Sequence, residues 1–413
     1  MPEFTAGDDL TLTATSMAHG GEAIAHADDG RVVFVSGAVP GDTVTATVTK
    51  AKKRWARATT TAVQVPSEFR VEATCPAAAA GAGCCDYASI AGENQLPFKR
   101  DILIGQLASL AARSGVFEGF DSQQIEDHSL SKTIPSPWRT RVRFGVDSRG
   151  RAGVRKLQSN EIVTERCSQV FPDIYDELEK HSYTPGAEVI AVRDSSGSVH
   201  VVESARVPRG KRVETIEKVI AGTGAVEQVV GKHRFVFPAT AFWQAHEQAP
   251  ETYAEIIRTW GTGNYDIPVG WDLYGGVGVF VPAIAQAMGE DAKVISVDYS
   301  AGANASSQEA LSEFNFESVD GRVEAVVDAL TQPGLVVLDP PRSGAGAETV
   351  QAIAGKQPER IIHIGCDPAT LARDLSDWGE AGYRVKKMAI IDAFPNTHHF
   401  EVMVELEGAG IPG

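Results

Sequence analysis

No apolar run in this 413-residue chain approaches the roughly 20 residues that a membrane-spanning helix requires. The opening stretch MPEFTAGDDL has neither the basic flank nor the apolar core of a secretory signal. Cysteine is scarce, and its odd count of five argues against a disulfide framework. These absences lead us to expect a cytoplasmic protein with no membrane association. Positive charge is also in deficit: 38 Lys and Arg face 54 Asp and Glu, a net charge of −16. That is the wrong sign for a generic nucleic-acid coat, since phosphate binding wants excess Lys and Arg. Internal repeats and long disordered tracts are missing as well.

What is present points to a globular chain of two or three domains: 43% hydrophobic and 22% charged residues over a length too great for one ordinary core. The scarce basic residues are clustered. TKAKKRWARATT carries Lys50, Lys52, Lys53, Arg54 and Arg57. WRTRVRFGVDSRGRAGVRK carries Arg139, Arg141, Arg143, Arg149, Arg151, Arg155 and Lys156, and RVPRGKRVE forms a third zone. Any one cluster reads equally well as a solvated strand face. Three in the first half of an acidic chain suggest a surface that meets a polyanion.

Residues 8–65 alternate β-branched and polar residues between Gly and Pro turns, the pattern of a small five-stranded barrel. CPAAAAGAGCCDY follows, then LPFKRDILIGQLASLAARSG, whose spacing predicts a helix ending at Gly115. From about 130 to 230 the chain is again rich in strands. After 235 apolar strands alternate with Ala-rich helical segments, the signature of a doubly wound, mostly parallel sheet.

In WDLYGGVGVFVPAIA a strand, a glycine turn and a helix succeed one another. Gly275, Gly276 and Gly278 let backbone approach a ligand at the helix start. About 20 residues on, the next strand ends in Asp298, placed to bond a ribose hydroxyl. This pairing fits nicotinamide and flavin cofactors as well as S-adenosylmethionine. The following strand ends in Asp339-Pro340-Pro341-Arg342, where an open parallel sheet holds its ligands. IIHIGCDPAT then sets Cys366 at the mouth of another apolar strand. A lone cysteine there reads first as a buried structural one.

Together these segments resemble the S-adenosylmethionine-dependent RNA uracil-C5 methyltransferases that carry an N-terminal TRAM domain. FWQAH, DLYGGVGVF, LDPPRSG, GCDPATLARDL and FPNTHHFEVMVEL follow the family's motifs in order, and the N-terminal MAHGGEAIAHADDGRVVFVSGAVPGDTVTATVTKAKKRWARA is similar to TRAM. The resemblance covers nearly the whole chain. It implies an α/β fold in three parts: an OB-like β-barrel at 1–66, a strand-rich central domain at 67–95 and 126–230, and a class I (Rossmann-like) methyltransferase domain at 96–125 and 231–413.

By resemblance Cys366 is the nucleophile that adds to C6 of uracil, and Glu401 is the base that removes the C5 proton. Gln244, Tyr274, Gly276, Gly278, Asp298 and Asp339 would meet the cofactor or target base. His399 takes the family's histidine position, and His398 is read as incidental. The implied partner is structured RNA, ribosomal in preference to transfer RNA, with no obligate protein partner. The family also implies a [4Fe–4S] cluster, for which Cys75, Cys84, Cys85 and Cys167 are the candidates; Gly81 stands where one ligand is expected. An intact cluster, a labile one, a remnant and a zinc site all remain open. Further departures are Trp243 and His246 in the glutamine motif, Asp367 beside the nucleophile, and Arg322 where an acid would meet adenine. Two other classes compete: an RNA-binding relative without turnover and a Rossmann oxidoreductase. Survival of Cys366 and Glu401 argues against the first, and the DPPR and CDP motifs against the second.

Overall fold

Alternation of small apolar and polar residues closes the N-terminal strands on themselves. The computed structural model describes residues 4–110, 114–157, 159–209, 212–289, 291–300 and 305–408. Strands β1 (Asp9–Met17), β2 (Ala23–His26), β3 (Val32–Ser36), β4 (Thr43–Ala51) and β5 (Trp55–Val65) form a closed barrel in the order β1-β2-β3-β5-β4. Ala14, Ala25, Ala46, Ala56 and Ala58 turn inward with Val33, Val35 and Val44, and a bore this narrow needs such small side chains. At the barrel's exit Asp42 is buried, bonded to the backbone N–H of Val39 and Ser67 and bridged to Arg70 at 2.6 Å.

A helix spans Gly92–Leu110 and packs Ile102, Leu103 and Leu107 into the core that also holds Leu371, Leu375 and Trp378. Strand β6 (Glu126–Ser129) follows. The central sheet comprises β7 (Arg141–Val146), β8 (Ala152–Arg155), β9 (Ile162–Val163), β10 (Glu188–Arg193), β11 (Val199–Arg209) and β12 (Arg212–Ala221), in the order β12-β11-β10-β7-β8-β9. A hairpin follows, β13 (Ala225–Val230) with β14 (His233–Pro238).

The C-terminal half adds β15 (Val269–Leu273), β16 (Lys293–Asp298), β17 (Phe316–Asp320), β18 (Leu335–Leu338), β19 (Arg360–Gly365), β20 (Tyr383–Asp392) and β21 (Glu401–Gly408). With β6 they form an eight-stranded sheet, β17-β16-β15-β18-β19-β21-β20-β6. The first five run parallel, and β21 is antiparallel to both of its neighbours. Helices at Val281–Met288, Ala347–Gly355 and Pro368–Glu380 cover its faces. None of the described helices is long and apolar enough to cross a membrane.

Strand β6, which starts at the expected edge at 126, joins this sheet, and the β13–β14 hairpin crosses the expected edge at 230 as a separate two-stranded sheet. Strand β6 pairs with β20, Glu126 lying opposite Ala389. The β13–β14 hairpin spans the 230/231 edge and buries Val226, Val230, Phe235 and Phe237 in the core of Trp243, Tyr253 and Ile257. Edge strands and hairpins carry the same local pattern whichever sheet they join, so sequence alternation cannot assign them.

Candidate active site

Strands β15, β16, β18 and β19 all end at one edge of the sheet, and each is followed by a residue of interest. Because β21 runs the other way, its first residue, Glu401, comes to that same edge. Gly365 pairs with Val402, so Cys366 and Glu401 leave adjacent strands side by side. A cleft of about 1060 Å³ opens there, lined by Gln244, Tyr274, Gly276, Asp298, Asp339, Cys366 and Glu401. Seven of the eight expected non-metal site residues thus share one cavity. The eighth, Gly278, does not line it; its turn (φ +78°) packs against Ala305 and Leu311.

The glycine turn is shaped by what lies beneath it. A Cβ on Gly275 would stand 2.2 Å from Asp272 Oδ2 and 2.4 Å from Ser296 Oγ. Burial lifts Asp272 to about 7, and the Ser296 hydroxyl, donating at 2.9 Å, opposes the rise. Tyr274 holds φ +62°, a region that non-glycine residues rarely enter. Asp298 Oδ2 accepts from the Gly276 N–H at 3.0 Å, fixing the carboxylate beside the turn. An acid at the end of the second strand over an open glycine turn fits the ribose of S-adenosylmethionine, with Tyr274 at the cleft wall.

At the reacting end Gln244 Nε2 donates to Asp339 Oδ2 at 3.3 Å. Burial, with the nearby charge of Asp272, lifts Asp339 to about 7. Burial, then the Glu401 and Asp339 carboxylates, pushes the Cys366 thiol up to about 12, and Arg342 opposes them. Burial and Asp339 also hold Glu401 well above the usual carboxylate range, with Arg342 again opposing. Glu401 Oε2 is buried and has no hydrogen-bond partner among the described residues. His399 lines the cleft too, and burial together with His398 and Arg342 holds its pKa down at about 3.

Comparison with known proteins now bears on this geometry. The family described as tRNA (Uracil-5-)-methyltransferase matches residues 272–409, and the TRAM domain matches residues 5–61. An uncharacterized RNA methyltransferase of Corynebacterium efficiens is 47% identical, covering 97% of this chain and 95% of its own. One from Streptomyces coelicolor is 32% identical over 99% of this chain and 94% of its own.

The chain belongs to the S-adenosylmethionine-dependent RNA uracil-C5 methyltransferase family.

In fold it is similar to the Pyrococcus abyssi tRNA (uracil-54, C5)-methyltransferase, crystallised with S-adenosyl-L-homocysteine. The TM-score is 0.68 at 18% identity, covering 96% of this chain and 99% of the other.

Within this methyltransferase the departures from the family motifs fall mostly on packing. Trp243 packs against Phe235 and Phe237 and also lines the cleft, whereas His246 stacks on Trp138 at 5.5 Å, away from it. Asp367 turns away from Cys366: its Oδ1 caps the helix that begins at Pro368, accepting from the N–H of Ala369 and Thr370 at 3.0 and 2.9 Å. Its Oδ2 meets His19 Nε2 of the barrel at 3.0 Å. Arg322 lies over the Tyr299 ring at 5.0 Å, and Glu324 supplies an acid on the same cleft wall.

Three features escape the sequence reading. Arg342 is the cation that faces both Cys366 and Glu401. Tyr253 is fully buried, and the charges of Glu401, Asp339 and Cys366 act on its hydroxyl, which has no partner among the described residues. Its spacing with Ile256, Ile257 and Trp260 reads as an ordinary apolar helix face, which hides it. Phe242 stands 70% exposed at the cleft mouth. Of the basic zones, the second sends Arg139, Arg141 and Arg143 to the cleft, and burial pushes Arg141 down to about 10. In that zone Arg151, Arg155 and Lys156 pair with Asp147, Glu188 and Glu161. The third zone lies partly outside the described residues.

Three of the four cysteines of the first half, Cys75, Cys85 and Cys167, converge in a buried arrangement compatible with a metal. Cys84 and Cys85, though adjacent, both reach the cluster: Cys85 Sγ is 3.7 Å from Cys75 and from Cys167, and Cys84 Sγ is 3.7 Å from Cys167. Buried Gln169 links this loop to the active site, donating to the carbonyls of Cys84 and Pro395, both at 3.1 Å. Asp86 accepts from the His398 N–H at 3.0 Å. His398 thereby ties the cysteine loop to the segment leading into Glu401.

Proposed function

We propose that this protein methylates C5 of a uridine in structured RNA, acting in the cytoplasm. The observation that carries the reading is the meeting of Cys366 and Glu401 at one sheet edge, in the cleft that also holds Asp298, Asp339 and Arg342. Bound S-adenosylmethionine supplies an electrophilic methyl group. Cys366 adds through Sγ to C6 of the uracil, which makes C5 electron-rich enough to take that methyl. Glu401 then removes the C5 proton, and the Cys366 thiolate leaves as the C5–C6 double bond re-forms. Asp339, held by Gln244, positions the base between donor and nucleophile. The target must leave its stack to enter, and exposed Phe242 offers a stacking face at the mouth. Barrel and arginine-bearing strand β7 hold the RNA, and the cysteine loop holds a metal that braces the Glu401 segment.

Ribosomal RNA is the proposed substrate. Transfer RNA is the second reading, favoured by the activity of the Pyrococcus abyssi protein. The test supplies RNA from cells lacking this protein, with methyl-labelled S-adenosylmethionine. Label is expected in 5-methyluridine with the wild type and none with Cys366→Ala, while Glu401→Gln accumulates a covalent protein–RNA adduct. The size of the labelled RNA chooses between the substrates. Absence of label with folded, RNA-binding wild type in unmodified RNA would sink the proposal.

A further inference from the structure

The turn between the first two barrel strands reaches the active site. Strand β1 ends at Met17 and β2 begins at Ala23, and the short loop between them carries His19. The Ala18 N–H donates to the Glu22 carbonyl at 2.8 Å and the Gly21 N–H to the Ala18 carbonyl at 3.3 Å, which closes the loop on itself. Gly21 holds φ +87°, and a Cβ there would stand 2.1 Å from Asp86 Oδ2 and 3.3 Å from His398 Nδ1. The loop therefore sits without clearance against the segment that leads into Glu401.

His19 touches both of the segments that carry the chemistry. Its Nε2 lies 3.0 Å from Oδ2 of Asp367, the neighbour of Cys366 in the chain, with both side chains partly buried. Its ring meets the His398 ring edge-on at 6.1 Å, and His398 packs at 3.9 Å on His399, which lines the cleft. Asp367 Oδ1 is occupied by the N–H groups of Ala369 and Thr370, which leaves Oδ2 to His19. Burial works against the charge of this carboxylate, but the Thr370 N–H and His19 outweigh it and hold the pKa below the ordinary value. Asp367 is thus ionised at neutral pH. An unpaired negative charge beside Cys366 would oppose the thiolate that addition to C6 requires.

On the reading of Cys366 as the nucleophile, we propose that the barrel supplies His19 to the active site as a positioning residue. It pairs the Asp367 carboxylate so that this charge does not oppose the Cys366 thiolate, and it braces the His398–His399 segment ahead of Glu401. The barrel then serves the chemical step as well as RNA binding.

The test compares full-length wild type with three variants. His19→Phe keeps a ring and loses the nitrogen. His19→Gln returns a donor for Oδ2. The double variant His19→Phe/Asp367→Asn removes the charge instead of pairing it and keeps an oxygen for the helix cap. RNA methylation is measured alongside alkylation of Cys366 by iodoacetamide at neutral pH, located by peptide mass spectrometry. His19→Phe should lower kcat about tenfold or more, with KM for RNA and for S-adenosylmethionine unchanged, and should slow the alkylation several-fold. His19→Gln and the double variant should recover most of both rates. Losses in His19→Phe that the double variant does not recover would reduce the contact to packing and overturn the proposal. Unchanged kcat and alkylation in His19→Phe, or a change confined to KM for RNA, would overturn it too. A wild type that methylates no RNA, while alkylation follows the expected order, would sink the methylation reading and leave the effect of His19 on Cys366 standing.

Discussion

At Cys366 the free cleft works against the thiolate. Its thiol is pushed up to about 12 by burial and by Glu401 and Asp339, with Arg342 in opposition. Since the thiolate is the reactive form, alkylation of Cys366 should be slow at neutral pH and rise steadily through pH 9 and 10 without a plateau. An added positive charge favours the anion and so lowers the pKa. Alkylation should therefore run several-fold faster with sinefungin bound, which carries an ammonium near the sulfonium position, than with S-adenosylhomocysteine, whose thioether there is neutral. Equal rates at matched occupancy would show that the cofactor's charge does not activate the thiol. At this scale Cys366 and Glu401 were legible because fixed motifs mark them. Tyr253 was not, because a buried tyrosine on an apolar helix face looks the same whether or not carboxylates surround it.

Between β15 and the helix from Val281, the turn depends on a carboxylate beneath it. Gly275 leaves no room for a methyl group over Asp272, which is itself buried and bonded to Ser296. Gly275→Ala should weaken S-adenosylmethionine binding at least tenfold, about 1.4 kcal/mol, with the circular dichroism spectrum kept. Calorimetric titration of folded variant checks it, and unchanged affinity would mean that the turn does not meet the cofactor. The sequence pointed to Gly275, Gly276 and Gly278 as equals. Gly276 stays open to the cleft while Gly278 packs under Ala305 and Leu311, because successive residues of a tight turn face different directions. Asp367 is a negative charge beside the nucleophile, and its cap to the helix backbone turns that charge aside.

Taken whole, the molecule anchors its barrel by buried or half-buried charges. Arg70 grips Asp42 where the chain leaves the barrel, and His19 reaches Asp367 next to Cys366. Lys52, Lys53 and Arg54 lie exposed on the β4–β5 connection, free to meet phosphate despite the net charge of −16. Reversing all three to Glu should weaken RNA binding at least tenfold and flatten its log–log salt dependence by about 0.7–0.9 for each phosphate that is no longer neutralised. S-adenosylmethionine affinity should not move. Equal binding curves across salt for both proteins would remove the barrel from the RNA interface.

Sequence alone determined the barrel, the parallel sheet and the order of the chemical motifs, since alternation, helical spacing and turn residues act over short stretches of chain. Tertiary structure decided what those stretches share. It brought antiparallel Glu401 beside Cys366, set Arg342 against both, drew β6 into the catalytic sheet, and brought two adjacent cysteines near Cys167. Each of these depends on residues far apart in sequence meeting through strand direction and packing, which no local pattern records.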